Sequence, residues 1–178
     1  MMSLAGWTWK INIDEKYLKK SIIVCAPHTS NWDFYYAVFG FWAIGVPIKV
    51  FIKDSHTKAF YGKTIEWIGG IGINRAQASD MVSYAADLLK NNDDFVFLIT
   101  PEGTRSFSEH WKKGFYYIAQ KANVPILIGI GDYKNKMARI ESAISVENKS
   151  YEEVCKEIEP FYKAEYAKHP EKYNPKIY

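Results

Sequence analysis

The stretch at residues 22–33, IIVCAPHTSNWD, changes character twice within twelve positions. Its first part, IIVCA, is apolar and rich in β-branched side chains, which predicts a buried strand. The polar loop that follows carries His28, and from Ser30 onward the sequence becomes aromatic with a helical spacing. A strand, a short loop and a helix in this order are typical of an α/β protein.

The same alternation continues along the chain. Several of the apolar runs are continuous, as expected of strands covered by helices on both faces. No repeat or flexible linker divides the sequence, so we predict one domain over residues 1–178, with a mixed, largely parallel β-sheet flanked by helices. The predicted strands are residues 22–26, 48–52, 71–74, 95–99, 125–130 and 137–140, and the predicted helices are residues 31–44, 56–68, 78–89, 111–122 and 151–167.

Composition excludes several classes of function. The 178 residues are 48% hydrophobic with a net charge of only +3, which argues against a nucleic-acid partner but allows weak attraction to anionic headgroups or phosphorylated substrates. The two cysteines, Cys25 and Cys155, have no spacing that suggests a disulfide framework. The N-terminus does not resemble a signal peptide. We therefore expect a cytoplasmic protein.

The longest apolar stretch, residues 34–48, is shorter than the ~20 residues that a membrane-spanning helix needs, and glycines and Pro47 interrupt it. It predicts a helix that is largely buried in the domain. Its aromatic side chains, together with Trp7 and Trp9, also suggest a patch that could touch a membrane surface without crossing it.

The spacing of His28 and Asp33 allows two interpretations. Residues five apart do not share a face of a helix, so the pair could meet only across a turn, where Asp33 would accept the imidazole Nδ1 proton and leave Nε2 free as a base. The alternative is a capping box, in which Ser30 caps the helix and Asp33 bonds back to the backbone. This stretch alone favours the cap.

A second polar loop, TPEGTRS at residues 100–106, follows the apolar run FVFLI. The carboxyl ends of parallel strands meet at one edge of a sheet, so this loop and the His28 loop should lie near each other. The guanidinium of Arg105 suits a phosphate, and Glu102 could hydrogen-bond hydroxyl groups of a substrate.

The two loops together resemble the glycerolipid acyltransferase family, which includes the 1-acylglycerol-3-phosphate acyltransferases. Four blocks of that family occur in order: His28 with Asp33, GIGINR at residues 70–75, PEGTR at residues 101–105, and VPI at residues 124–126. Residues 111–116 (WKKGFY) and 169–173 (HPEKY) are similar to the short, soluble bacterial members. Each block is weak alone, and the combination is specific.

The resemblance implies a role for each matching residue. His28 would be the general base and Asp33 would orient it. Arg75 and Arg105 would bind a phosphate, and Lys53 is a further cation that could equally be an ordinary surface lysine. The remaining matches are Glu102, Gly103 and Thr104, which would shape the acceptor pocket, and residues 124–126, which would line the acyl side.

This sequence also departs from the family pattern. Pro27, Gly72 and Thr100 replace residues common in relatives, and the long hydrophobic anchor of many relatives is not seen. The resemblance implies no cofactor, and the four histidines show no spacing that suggests a metal site. A serine hydrolase, a thioesterase based on Cys25 and a dinucleotide-binding fold fit poorly, because their motifs or environments are missing.

We therefore expect an acyltransferase that moves a fatty acyl group from acyl-CoA or acyl-carrier protein to a hydroxyl of a lysophospholipid such as 1-acylglycerol-3-phosphate. The apolar segment at residues 34–42 would cradle part of a chain, and the protein would dock transiently on the inner face of the cell membrane. Two alternatives remain: a non-catalytic lipid- or acyl-carrier-binding module, and acyl transfer to an acceptor that is not a glycerolipid.

Overall fold

The computed structural model describes residues 2–4, 6–73 and 81–178. In this part of the chain, eight strands form one sheet in the order β1-β2-β8-β7-β3-β6-β4-β5. The strands are β1 Met2–Leu4, β2 Trp7–Ile11, β3 Lys20–Ala26, β4 Ile48–Lys53, β5 Gly70–Ile73, β6 Phe95–Ile99, β7 Ile126–Asp132 and β8 Met137–Ile144.

Most neighbouring strands are parallel, and among the described strands only the pairs β1–β2 and β7–β8 are antiparallel. The predicted single α/β domain with a mixed, largely parallel sheet is therefore confirmed. Strands β7, β3, β6, β4 and β5 all run in the same direction, so their carboxyl ends share one edge of the sheet. We call this the carboxyl edge.

Helices cover both faces of the sheet. The helices are α1 Trp32–Ala43, α2 Asp54–Thr57, α3 Gly62–Trp67, α4 Met81–Asn91, α5 Gly114–Ala122 and α6 Tyr151–Ile158. Side chains of a strand alternate between faces: Ile22 and Val24 pack with α4, α5 and α6, whereas Ile23 packs with α1 and with the tryptophans of β2. This two-sided burial explains why the central strands are apolar throughout.

Three predicted helices are clearly shorter in the structure, and one of them, predicted at residues 111–122, begins only at Gly114. The segment predicted as a helix at residues 151–167 begins at Tyr151 with a capping box between Ser150 and Glu153, but α6 ends at Ile158. Pro160 follows immediately in a 3-10 turn, and proline cannot continue an α-helix. The segment predicted at residues 56–68 is divided into α2 and α3 by a turn before Gly62.

The N-terminal strands β1 and β2 were not predicted. Trp7 and Trp9, interpreted above as part of a membrane-touching patch, are instead buried, with 5% and 7% of their surface exposed. Trp7 stacks on Tyr36, and the indole of Trp9 packs directly against Gly40, where a methyl group would overlap the ring. These contacts fix α1 against the sheet.

Helix α1 is only half buried, which corrects the expectation that it is largely buried. Val38, Gly40 and Phe41 face the core. Four large side chains on its outer face are at least 38% exposed: Trp32, Tyr35, Phe39 and Trp42. We call these four residues the outer aromatic face. Among the described residues, no helix has the length and hydropathy that crossing a membrane requires.

Candidate active site

The polar loops predicted from the sequence come together at the carboxyl edge. His28 follows β3 by two residues, and Glu102 follows β6 by three. Strands β3 and β6 are adjacent and parallel, with Val24 level with Ile99. The two loops therefore leave neighbouring strands at the same height.

His28 and Asp33 form the predicted pair. The imidazole Nδ1 lies 3.1 Å from Asp33 Oδ2. An ionised carboxylate can only accept hydrogen bonds, so the proton of this contact belongs to Nδ1 and the lone pair of the ring is on Nε2. The side chain of His28 is 18% exposed, so a substrate can reach it. A fixed tautomer with an accessible basic nitrogen suits a general base.

Asp33 also organises the backbone at the start of α1. The same Oδ2 accepts hydrogen bonds from the N–H groups of Thr29 and Ser30, at 2.8 and 2.9 Å. The Ser30 hydroxyl, however, accepts from Trp32 N–H and not from Asp33 N–H, so the reciprocal capping box is not formed. One carboxylate thus serves both as the partner of His28 and as the anchor of its loop.

These hydrogen bonds favour an ionised Asp33. Burial by itself would raise the pKa of this carboxyl, but the hydrogen bonds from His28, Tyr133 and Ser30 outweigh it and hold the pKa below its ordinary value. Asp33 is therefore negatively charged at neutral pH, and the charge stabilises a protonated imidazole beside it.

Glu102 connects the second loop to the first. Its Oε1 accepts a hydrogen bond of 2.7 Å from the backbone N–H of His28. The residue is only 4% exposed, and burial raises the pKa of its carboxyl to about 7, with the nearby charge of Asp33 acting in the same direction. The sequence suggested that Glu102 bonds substrate hydroxyls, whereas in the structure one of its oxygens is engaged beneath the His28 loop.

The rest of the second loop is open to solvent. Gly103, Thr104 and Arg105 are all exposed. Gly103 has a φ of +67°, a conformation that glycine adopts without strain. Arg105 makes no salt bridge with any other described residue, so its guanidinium is available to an anion.

Lys53 occupies the same edge. It is the exposed last residue of β4, which is separated from β3 only by β6. Neighbouring strands are about 4.8 Å apart, so the backbone of Lys53 lies roughly 10 Å from β3. The other predicted cation, Arg75, lies outside the described residues.

The block at residues 124–126 is not part of this edge. Val124 and Ile126 are buried, and Ile126 begins β7, whose last residue, Asp132, lies at the carboxyl edge. A strand of seven residues is roughly 20 Å long. Residues 124–126 are therefore placed in the core at the far edge of the sheet, away from His28.

Sequence reasoning missed Tyr133, which follows β7 directly. Its hydroxyl donates a hydrogen bond of 2.6 Å to Asp33 Oδ1. Strand β7 is parallel to β3, with Ala26 level with Ile130, so Tyr133 reaches the His28 loop from the other side. The rule that functional side chains follow parallel strands would have identified it, had the position of β7 next to β3 been known.

The C-terminal segment also contacts the site. The backbone N–H of His169 donates to the hydroxyl of Thr29, and the ammonium of Lys168 lies 5.5 Å from the ring of Trp32. Tyr162 donates to the carbonyl of Val24 in β3. Beside it, desolvation raises the pKa of Cys25 to about 12, so this thiol is protonated at neutral pH and unsuited to nucleophilic catalysis.

A partly exposed histidine at the carboxyl edge of an α/β sheet, oriented by a partly buried carboxylate, is an arrangement that suits general-base catalysis. The comparison with known families agrees: the family model described as Acyltransferase matches residues 10–128, about two thirds of the chain. The chain belongs to this family.

A solved structure shares the fold. It is the 1-acyl-sn-glycerophosphate acyltransferase PlsC from Thermotoga maritima, which aligns with a TM-score of 0.61 and 22% sequence identity over 87% of this chain and 69% of the PlsC chain. A comparison with curated proteins gave no match.

Proposed function

We propose that this acyltransferase moves a fatty acyl group from acyl-CoA or acyl-carrier protein to a hydroxyl of a lysophospholipid such as 1-acylglycerol-3-phosphate. The observation that carries the proposal is the 3.1 Å contact between His28 Nδ1 and Asp33 Oδ2 beside the PEGTR loop. The name of the similar solved protein, a 1-acyl-sn-glycerophosphate acyltransferase, supports the choice of acceptor.

In the proposed reaction, Nε2 of His28 removes the proton of the acceptor hydroxyl while its oxygen attacks the thioester carbonyl. The new carbon–oxygen bond forms, the carbon–sulfur bond breaks, and the imidazolium returns the proton to the departing sulfur. Asp33 stabilises the imidazolium between these steps. A thioester is already activated, so the reaction needs no covalent intermediate with the enzyme.

The surrounding cations fit an acceptor that carries a phosphate. Arg105 and Lys53 are both exposed at the carboxyl edge, and we assign them, with Arg75, to binding the phosphate. Glu102, Gly103 and Thr104 would shape the acceptor pocket, with Glu102 acting through its hold on the His28 backbone. The loss of residues 124–126 from the site leaves residues 34–42 as the candidate wall for an acyl chain.

The experiment is to measure thiol release from long-chain acyl-CoA and from acyl-carrier protein, with and without lysophosphatidic acid. We expect release that depends on the acceptor and falls by about 10²- to 10⁴-fold in His28→Ala. His56→Ala is the matched control, because His56 is exposed and also hydrogen-bonds a residue five positions on, Tyr61. Release without acceptor would indicate a thioesterase, and no release across a panel of acceptors would favour the non-catalytic binding module.

We further propose that the protein docks transiently on anionic membrane through the outer aromatic face of α1. Tryptophan and tyrosine side chains suit the membrane interface. Trp67 of α3 extends this surface, with its ring 4.4 Å from that of Trp42, and Lys168 adds a positive charge beside Trp32. This face would bring the carboxyl edge to the acceptor in the cytoplasmic leaflet.

Flotation with vesicles that contain phosphatidylglycerol tests the docking. We expect binding at low salt that weakens in Trp42→Ser. Tyr117→Ser is the control, because Tyr117 is also an exposed aromatic residue but lies on α5, on the opposite face of the sheet. Absence of wild-type binding at low salt would contradict the docking proposal.

A further inference from the structure

Tyr133 is held in place from several sides. The centroid of its ring lies 5.0 Å from that of Trp7, which it meets edge-on, and 6.0 Å from that of Tyr36. The rings of Trp7 and Tyr36 stack on each other. Its backbone N–H donates to the carbonyl of Tyr166 in the C-terminal segment. Strand β2, helix α1 and the C-terminal segment thus fix the direction of the hydroxyl, which donates to Asp33 Oδ1 at 2.6 Å.

We infer that Tyr133 is a positioning residue for His28, which acts through Asp33 by sharing its carboxylate in a hydrogen-bonded chain Tyr133–Asp33–His28. The inference rests on the proposed role of His28 as the base. It also assigns a function to Trp7, whose indole packs edge-on against the ring of Tyr133.

The geometry divides the carboxylate between two partners. Oδ1 receives the Tyr133 hydroxyl and Oδ2 receives His28 Nδ1 with two backbone N–H groups. Oδ2 therefore cannot turn away from the imidazole without breaking the bond at Oδ1. Burial and the contact with Asp33 raise the pKa of Tyr133 above its ordinary value, so the hydroxyl keeps its proton and remains a donor throughout the neutral range.

The hydrogen bond also changes the charge that the carboxylate presents to the imidazole. A donor at Oδ1 withdraws negative charge from the carboxylate and weakens its attraction for the imidazolium. Removing this donor should leave the carboxylate a stronger partner, so that His28 holds its second proton at a higher pH. At acidic pH, a smaller fraction of the enzyme would then have an unprotonated Nε2 that can act as the base.

Other titratable groups face the hydrogen-bonded chain from Tyr133 to His28 and must be considered. They are Cys25 from β3, Tyr36 from α1, Glu102 from the loop after β6, and Lys168 and His169 from the C-terminal segment. Among the described residues, the donors to Asp33 are His28, Thr29, Ser30 and Tyr133. Replacing Tyr36 by phenylalanine therefore removes a neighbouring hydroxyl without removing a bond to Asp33.

The test compares wild type, Tyr133→Phe and Tyr36→Phe, each as the full chain. The ring protons of His28 are followed by NMR as a function of pH, assigned by their loss in His28→Gln. In parallel, kcat/KM for acyl transfer from acyl-CoA to lysophosphatidic acid is measured against pH. Phenylalanine preserves the ring and its packing, and an unchanged melting temperature verifies this.

In Tyr133→Phe we expect the titration of His28 and the acid limb of kcat/KM to move together to higher pH, with a loss of about 10-fold in kcat/KM on that limb. In Tyr36→Phe the pH at which each curve turns should stay at its wild-type value, even if the plateau of kcat/KM changes through the proposed acyl-chain wall at residues 34–42. Superimposable curves for wild type and Tyr133→Phe would overturn the inference and leave Tyr133 a packing residue. If wild type transfers no acyl group, the proposed function fails, but the NMR titration still decides the role of Tyr133.

Discussion

The carboxylate of Glu102 accepts a hydrogen bond of 2.7 Å from the main-chain N–H of His28. The two residues are 74 positions apart in the chain. Their contact joins the loop after β3 to the loop after β6 and holds the His28 backbone in position at the carboxyl edge. Because burial raises the pKa of this carboxyl to about 7, its charge changes within the neutral range.

Glu102→Gln should change how stability depends on pH. In the folded protein the pKa of Glu102 is raised from 4.5 to about 7, so folding favours the protonated form. This contribution is fully present below the unfolded value and is lost as the pH rises through the folded value, by about 3 kcal/mol in total. Glutamine cannot ionise, and its oxygen can still accept from His28 N–H.

We therefore expect the free energy of unfolding of Glu102→Gln, relative to wild type, to increase by about 3 kcal/mol between pH 4.5 and pH 8. Urea denaturation at several pH values measures the difference, and Glu109→Gln, an exposed carboxyl in the same loop region, is the control. A difference that does not vary with pH would show that folding does not raise the pKa of Glu102.

Two glycine-to-alanine substitutions should have different effects on stability. A methyl group at Gly40 overlaps the indole of Trp9, so Gly40→Ala should lower the free energy of unfolding by about 1 to 3 kcal/mol despite the better helix propensity of alanine. Gly114 begins α5 with open space around it, so Gly114→Ala should be neutral or raise stability by about 0.5 kcal/mol. Thermal unfolding of both variants measures this, and equal effects would contradict the packing of Trp9 on α1.

The local sequence pattern was sufficient to predict a strand where the segment is apolar throughout. Strand β6 has the predicted bounds, Phe95–Ile99, because its apolar run is enclosed by Asp94 and by Thr100 with Pro101. Strand β2 was missed because Trp7 and Trp9 alternate with polar residues over a short segment, and their burial depends on α1, which follows later in the chain.

The candidate site also combines residues that the local sequence predicts with residues whose contacts depend on distant parts of the chain. His28, Asp33 and Glu102 follow predicted strands, so their meeting at one edge could be inferred before the structure. Tyr133 could not be found in this way, because its contact with Asp33 depends on β7 lying next to β3, which the local sequence does not specify. The sequence also left the cap and the dyad as alternatives, whereas in the structure Asp33 pairs with His28 and binds backbone N–H groups of the loop without forming the reciprocal capping box.

Arg105→Gln should affect acceptors according to whether they carry a phosphate. If Arg105 binds the phosphate, its loss should raise KM for lysophosphatidic acid by about 10-fold and leave KM for a monoacylglycerol unchanged. Lys90→Gln is the control, because Lys90 is exposed at the end of α4, beside Lys20 at the start of β3 and thus at the opposite edge of the sheet. An equal rise for both acceptors would show that Arg105 does not recognise the phosphate.

Asp33→Asn tests whether the carboxylate serves catalysis, the fold or both. Asparagine keeps the size but not the charge, so it should no longer hold the Nδ1 proton or stabilise the imidazolium, and the rate should fall by about 10²- to 10⁴-fold. It also weakens the bonds from the Thr29 and Ser30 N–H groups, which should lower the free energy of unfolding by about 1 to 3 kcal/mol. Because the pKa of Asp33 lies below its ordinary value of 3.8, this stabilisation is complete at neutral pH and is lost only as the pH falls through the acid range below that value.

Ser30→Ala separates the two effects. It removes the hydroxyl that accepts from Trp32 N–H but keeps the backbone N–H that donates to Asp33. We expect a cost of about 1 kcal/mol in stability and a rate close to wild type. Both variants are measured by urea denaturation and by acceptor-dependent thiol release. If Asp33→Asn lost stability but kept its rate, Asp33 would be an anchor of the loop alone, and the hydrogen-bonded chain from Tyr133 to His28 would have no part in the chemistry.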